Sequence, residues 1–370
     1  MGDPPIRLFL AGDVMLGRGI DQALPHPGDP TLHERYVTDA RRYVELAERV
    51  NGPIPHPVTP AWPWGESIAA LERAAPDVRI INLETSITRS DHVAAGKAVH
   101  YRMSPANLAC LSAVRPDVCA LANNHVLDLG REGLAETLEV LDAAGIGTAG
   151  AGCDLEAAWR PAAVGLPGGG RVLVFSMGAP SSGIPRSWAA GDGRSGVAAL
   201  SEPLGSRARQ VLDRIQRWRR DGDRVVVSVH WGSNWGREID DDQVRFARAL
   251  IDGGVDVVHG HSSHHPRAIE VHRDRLILYG CGDLINDYEG IGGHEAYRGD
   301  LRLLYLVDLD RRTGVLRDLR LVPLQAHRLR LRCARPTDIE WLRSVLEHDV
   351  RPSGQRFDTA RDGTLTLHRS

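Results

Sequence analysis

Cysteine is scarce and poorly placed for structural work. Cys110, Cys119, Cys153, Cys281 and Cys333 are widely spread and odd in number, and no Cys-x-x-Cys pair occurs. Neither a disulfide framework nor a zinc ribbon is supported, and reduced thiols fit a cytoplasmic protein. Long hydrophobic runs are also missing. The apolar stretch Leu8–Ala11 is far too short for a membrane span or a signal segment, and no later run approaches spanning length. The expectation is an intracellular, cytoplasmic chain with no membrane partner. No charge of one sign dominates either: the net charge is -3 with histidine neutral. No global field therefore draws the chain to nucleic acid or to anionic lipid. Lysine is rare beside arginine, which reads as the bias of a GC-rich bacterial genome rather than as phosphate recognition. Internal repeats and low-complexity tracts are absent.

What remains is an ordinary globular composition, 25% charged and 42% hydrophobic, over 370 residues. That length suits one large sandwich with insertions. Short apolar runs recur, each stopped by Gly, Asp, Asn or His: Ile6–Leu10, Val78–Ile81, Val118–Leu121, Val172–Phe175, Val225–Val229, Val255–Val258 and Leu276–Tyr279. Continuous apolar runs with polar C-terminal ends predict buried strands carrying site residues at their tips. Helical spacing over Arg131–Ala144, Ser206–Arg220 and Asp241–Asp252 falls between them. The alternation predicts an α/β fold with layered sheets. Leu301–Leu309 and Val315–Pro323 flank a turn at 310–314 and read as an antiparallel hairpin, so the sheets are mixed. Asp338–Glu347 reads as a last helix and the stretch after Arg351 as an edge strand. The expected organisation is one domain over 1–370, with a Pro- and Trp-rich insertion or lid at about 21–65 and a C-terminal hairpin plus helix at about 301–370.

Five polar clusters follow five of the expected strands. They are Gly12-Asp13, Asn82-Leu83-Glu84, Asn123-Asn124-His125 with Asp128, His230-Trp231-Gly232, and the run from His259 through His261 and His264 to His265. A lone Asp or His after a strand is usually a turn former. Five in this order supply hard oxygen and borderline nitrogen donors suited to a divalent metal ion.

These motifs resemble the CapA family, named for poly-γ-glutamate capsule biosynthesis, within the calcineurin-like metallophosphatase superfamily. The likeness runs from Ala11-Gly12-Asp13-Val14-Met15-Leu16-Gly17-Arg18 to Leu278-Tyr279-Gly280-Cys281-Gly282-Asp283, and rests above all on Asn82-Leu83-Glu84 followed by Ala122-Asn123-Asn124-His125-Val126-Leu127-Asp128. It implies a four-layer αββα sandwich with two mixed sheets and a metal centre where they meet. It also implies Asp13, Glu84 (at the bridging position), Asn124, His230, His261 and His264 as metal ligands, with His259 and His265 open as alternatives. His125 matches the acid/base histidine. The chain departs from the superfamily pattern at Asp13-Val14-Met15, where Asp-x-His is usual. A thioether is a poor ligand for hard cations, so one or two sites for Ca²⁺, Mg²⁺ or Mn²⁺ remain open.

Catalytic candidates are His125, Asp128, Asp13, His264 and His294, the last in a glycine-rich loop that follows Asp283, Asn286 and Asp287. The candidate pairs are His125 with Asp128 or Asp13, and His294 or His264 with Asp283, Asp287 or Glu295. Arg18, Trp62, Trp64, Trp231 and Trp235 are candidates for gripping a substrate. Paired histidines and carboxylates favour peptide epimerisation at a Cα, as in the family member that epimerises the C-terminal tryptophan of a lasso-peptide precursor. Phosphoester or amide hydrolysis is the alternative, and a role in poly-γ-glutamate biosynthesis or export is the third. The expected partner is a peptide or other amide-bearing molecule.

Overall fold

The computed structural model describes residues 3–348 and 354–368. Two mixed sheets form the centre. The larger runs in the order Phe357–Thr359, Leu365–Leu367, Leu316–Ala326, Leu301–Leu309, Ile6–Val14, Val78–Leu83, Val118–Ala120, Gly147–Ala149. The second runs Ile269–His272, Arg275–Leu278, Val257–His261, Arg224–His230, Arg171–Gly178, Ala162–Gly165.

The layering follows from the period of two along each strand. Ile6, Leu8 and Leu10 join one core with Ile80, Val118, Val172, Val174, Val226 and Val257, which is the interface between the two sheets. Phe9, Ala11, Ile81 and Cys119 point the other way, into a core shared with Val44, Leu71, Leu111 and Leu134 of the flanking helices. On the far side, Leu173, Phe175, Val225 and Val227 pack against Val211 and Ile215 of helix Ala208–Trp218 and Phe246 and Leu250 of helix Asp241–Asp252. The result is the expected αββα sandwich. Each fully buried aliphatic side chain in these layers contributes roughly 1.5–3 kcal/mol.

The expected helices form at Gly130–Ala143, Ala208–Trp218, Asp241–Asp252 and Pro336–His348. Leu301–Leu309 pairs antiparallel with Leu316–Ala326. The edge expected after Arg351 is Phe357–Thr359, while 351–353 lie outside the described residues. Within 21–65, helix Arg41–Asn51 buries Tyr43, Val44 and Ala47. Among the described residues no helix is long and apolar enough to cross a membrane.

The two sheets are stitched together by residues 279–285. Cys281 N–H donates to Gly260 of the second sheet at 2.9 Å, while Asp13 N–H donates to Gly282 O at 3.0 Å and Met15 N–H to Ile285 O at 2.8 Å. The crossing is so close that a Cβ on Gly12 would lie 1.8 Å from Gly282 O. Only glycine fits there.

Candidate metal and acid/base centre

Strand parity delivers the second sheet's donors. Ser228 and His230 share the inner face with Val226, and His259 and His261 share it with Val257. The Val257–His261 strand is longer than the apolar run that signalled it, so these two histidines lie within the strand rather than on a loop. His259 Nε2 meets Ala11 O at 2.9 Å across the sheets, and its Nδ1 lies 3.1 Å from Ser228 Oγ. His259 is thereby committed to the seam. His261 places Nε2 2.8 Å from Ser228 Oγ and Nδ1 2.7 Å from His230 Nδ1, with Asp13 Oδ1 3.9 Å away. His230 Nε2 meets Asn124 Oδ1 at 3.0 Å.

The first sheet brings the carboxylates. Asp13 and Glu84 are buried, and the Asn82 side-chain amide donates to both, at 2.7 and 3.2 Å. Asn123 holds Asn82 in turn, at 3.0 Å. Burial and the nearby Asp283 charge push Asp13 up to about 7, while burial and Asp13 hold Glu84 well above the usual carboxylate range. Burial also pushes His230 and His261 well below the usual imidazole range.

Two histidine–carboxylate pairs flank this centre. His125 Nδ1 lies 2.6 Å from Asp128 Oδ2, and its Nε2 faces Glu84 Oε1 at 3.7 Å. Burial pulls His125 down to about 4 despite the Asp128 charge. For Asp128, burial acts upward, but His125 and Lys97 outweigh it and lower the carboxyl. His264 Nδ1 lies 2.9 Å from Asp283 Oδ1, and burial is there overcome by the Asp283 charge, which raises the imidazole. A cavity of about 560 Å³ opens beside this second pair, lined among others by Trp235, Tyr288, His294 and Arg302.

Some expected residues are placed otherwise. Trp64 is fully buried with its indole N–H on Cys110 O, and Trp231 is buried with its N–H on Tyr279 O. Trp62 donates to Arg328 O and packs against the helical core. Trp64 and Trp231 offer no face to a substrate, and Trp62 is half-buried with Arg330 over its ring. Of the four tryptophans only Trp235 lines the cavity, stacked on His294 at 3.8 Å. His294 is exposed, and its expected carboxylates are engaged elsewhere: Asp283 with His264, Asp287 with Arg18, and Glu295 with Gly293 N–H. Arg18 is buried, bidentate on Asp287 and bonded to Glu34 and Tyr43. Its fork is filled by protein groups rather than open to a ligand. His265 bonds Gly236 O and Pro266 O, away from the donors.

The donor set fits a cation. Asp13, His230 and His261 bring ligand atoms within 4.8 Å of one another, and Asp13, His264 and Asp283 do so again. Asp13 is shared by both groups, while Glu84 reaches His125 and His230 from the side at 3.7 and 3.9 Å. Asp13 and Glu84, held above the usual carboxylate range by burial and by neighbouring negative charge, are what a positive ion would relieve. Met15 is buried with its sulfur 3.9 Å from the Tyr288 hydroxyl, and adds no hard donor.

Residues that the motifs did not single out complete the centre. Ser228 bridges His259 and His261, and Lys97 contacts His125, Asp128 and the Asn124 carbonyl. Lysine rarity was a usable signal for the second, because Lys97 is the only lysine in the chain.

A four-layer sandwich with this strand-end cluster defines a protein of the calcineurin-like superfamily. Residues 7–288 match the family described as bacterial capsule synthesis protein PGA_cap, and the chain belongs to that family. It is 53% identical, over 99% of its length and 97% of the relative's, to a Mycobacterium tuberculosis protein named "Probable polyglutamine synthesis accessory protein". It is 27% identical to the PGA biosynthesis protein CapA of Bacillus subtilis, over 77% of this chain and 64% of that one. The capsule biosynthesis protein CapA of Bacillus anthracis is 22% identical, over 76% and 60%.

Proposed function

We propose that this chain is a metal-assisted acid/base enzyme acting on an amide-bearing substrate, in the making or tailoring of a glutamate- or glutamine-based polymer such as the names of its relatives describe. The carrying observation is the line of buried contacts from Asp128–His125 through Glu84 and Asp13 to His264–Asp283. Each end presents an imidazole backed by a carboxylate, which fixes the tautomer and supports proton transfer.

Two such groups suit proton removal from a Cα and its return to the other face, which is epimerisation. His125 Nε2 takes or gives the proton at one end; at the other His264 serves once its Nε2 is released from the Asn234 side-chain amide, which lies 3.1 Å away. A divalent ion, Mn²⁺, Mg²⁺ or Ca²⁺, held by Asp13, His230 and His261 would supply positive charge for an oxygen that becomes negative. The second reading is amide or ester hydrolysis, favoured by the second donor group Asp13, His264 and Asp283. Two ions would occupy His264 and suit hydrolysis, whereas one ion leaves it free as an acid/base group.

Incubation with a glutamine- or glutamate-containing peptide in D₂O separates the two. Deuterium at a Cα without chain cleavage supports epimerisation, and its loss in His125→Gln assigns the base. Cleavage products with two bound ions and no exchange would overturn epimerisation in favour of hydrolysis.

A further inference from the structure

Only half of residues 89–100 are exposed, and one side chain of this loop enters the centre. That side chain is Lys97, only 13% exposed. Its ammonium contacts Asp128 Oδ1 and the Asn124 carbonyl, lies 3.1 Å from His125 Nδ1, and sits 5.0 Å over the Trp188 ring. Asp128 Oδ2 receives the Tyr101 backbone N–H at 2.7 Å and faces His125 Nδ1 at 2.6 Å.

The proton count on these atoms is constrained. An ammonium is donor-only, so Asp128 beside it is held as an acceptor-only carboxylate. His125 Nδ1 must then carry the hydrogen that meets Oδ2. The competing arrangement has Nδ1 accept from Lys97 and places the ring hydrogen on Nε2, which leaves Nδ1 and Oδ2 as two acceptors facing each other at 2.6 Å. We propose that Lys97 is a positioning residue: it fixes Asp128 as the acceptor, locks His125 in the Nδ1–H tautomer, and so aims the bare Nε2 at the cluster. The inference rests on the strand-end cluster being the working site. Its test reads ring hydrogens rather than turnover, so either reading can fail alone.

The test uses the purified full chain with ¹⁵N-labelled histidine, recording long-range ¹H–¹⁵N spectra and assigning His125 by the signal lost in His125→Gln. The expected parent spectrum shows a protonated Nδ1 and an unprotonated Nε2 for His125. Lys97→Arg should retain that pattern, and Lys97→Met should shift both nitrogens toward tautomer-averaged positions. A hydrogen on Nε2 in the parent, or an unchanged pattern in Lys97→Met, would overturn the proposal. If Lys97→Met does not fold, the parent tautomer still decides, and reductive ¹³C-methylation of the parent gives a second measure. The single lysine should be methylated several-fold more slowly in the folded protein than in urea. Equal rates would mean that Lys97 is not held in the centre.

Discussion

His230 and His261 are lateral neighbours in register on adjacent parallel strands, and they turn the same ring nitrogen toward each other at 2.7 Å. Both rings lie on the inner face beside Asp13, so one small cation can bridge what the protein alone holds as two facing lone-pair positions. Asp13→Asn should abolish metal binding altogether, because both donor groups share that carboxylate. His261→Ala should remove the ion of the first group, and His264→Ala should leave it in place. Elemental mass analysis of each variant counts the ions. The thermal stabilisation on metal addition, about 2.7 kcal/mol at a hundredfold excess over Kd, should vanish in Asp13→Asn.

Arg18 and Asp287 form a buried bidentate pair, with side chains 3% and 0% exposed. Arg18→Met leaves Asp287 as a buried charge without its counter-ion, and should cost about 3–5 kcal/mol in urea unfolding. Asp287→Asn in the Arg18→Met background should recover part of that loss.

Gly12→Ala places a methyl group 1.8 Å from the Gly282 carbonyl oxygen, a backbone atom that cannot rotate away. The substitution should destabilise the protein by at least about 3 kcal/mol and lower metal affinity, since Asp13 is the next residue. Calorimetry and metal titration check both.

Thiol chemistry should divide the cysteines by depth. Cys110, Cys119 and Cys281 are buried and Cys153 and Cys333 exposed. Burial pushes Cys110 up to about 12 and raises Cys119 and Cys281 as well. At pH 8 an aromatic disulfide reagent should label Cys153 promptly, Cys333 more slowly because partial burial and Glu66 raise its thiol, and the other three only after unfolding.

Asp223 accepts from Arg171 at 2.6 and 3.1 Å and from the Arg220 N–H at 2.9 Å. Burial acts upward on its carboxyl, but these donors prevail and lower it. A lowered carboxyl contributes stability above its unfolded value, near pH 4, and loses it as pH falls through the folded value. Asp223→Asn should therefore cost about 1 kcal/mol at pH 7, with the gap closing as the pH is taken below about 4.

The strand tips were readable in the sequence because apolar runs ended in Asp13, Glu84, His125 and His230, and burial demands those runs. His259 and His261 were visible as residues, but their orientation depends on strand parity carried past the apolar run. Aromaticity alone does not tell a cradle from a core. Trp64 and Trp231 each find a buried carbonyl for the indole N–H, a pairing set by distant chain. The Asp283–His264 pair is one of several pairings the sequence leaves open, and tertiary packing selects it because the two residues come from separate elements. Lys97 lies in an irregular loop with no periodicity to mark it.

The strand bearing Asp13 lies between an early neighbour, Val78–Leu83, and a late one, Leu301–Leu309. A ribosome adding roughly 5–20 residues per second finishes the first pairing long before the second, with a delay on the order of tens of seconds. Asp283, which lies beside Asp13 in the sheet, also emerges late. A nascent chain thus carries its histidines and carboxylates for most of its synthesis without the geometry that joins them. The centre can close only once the chain has been made through Leu301–Leu309, so a product truncated before that strand would be inert rather than partly active.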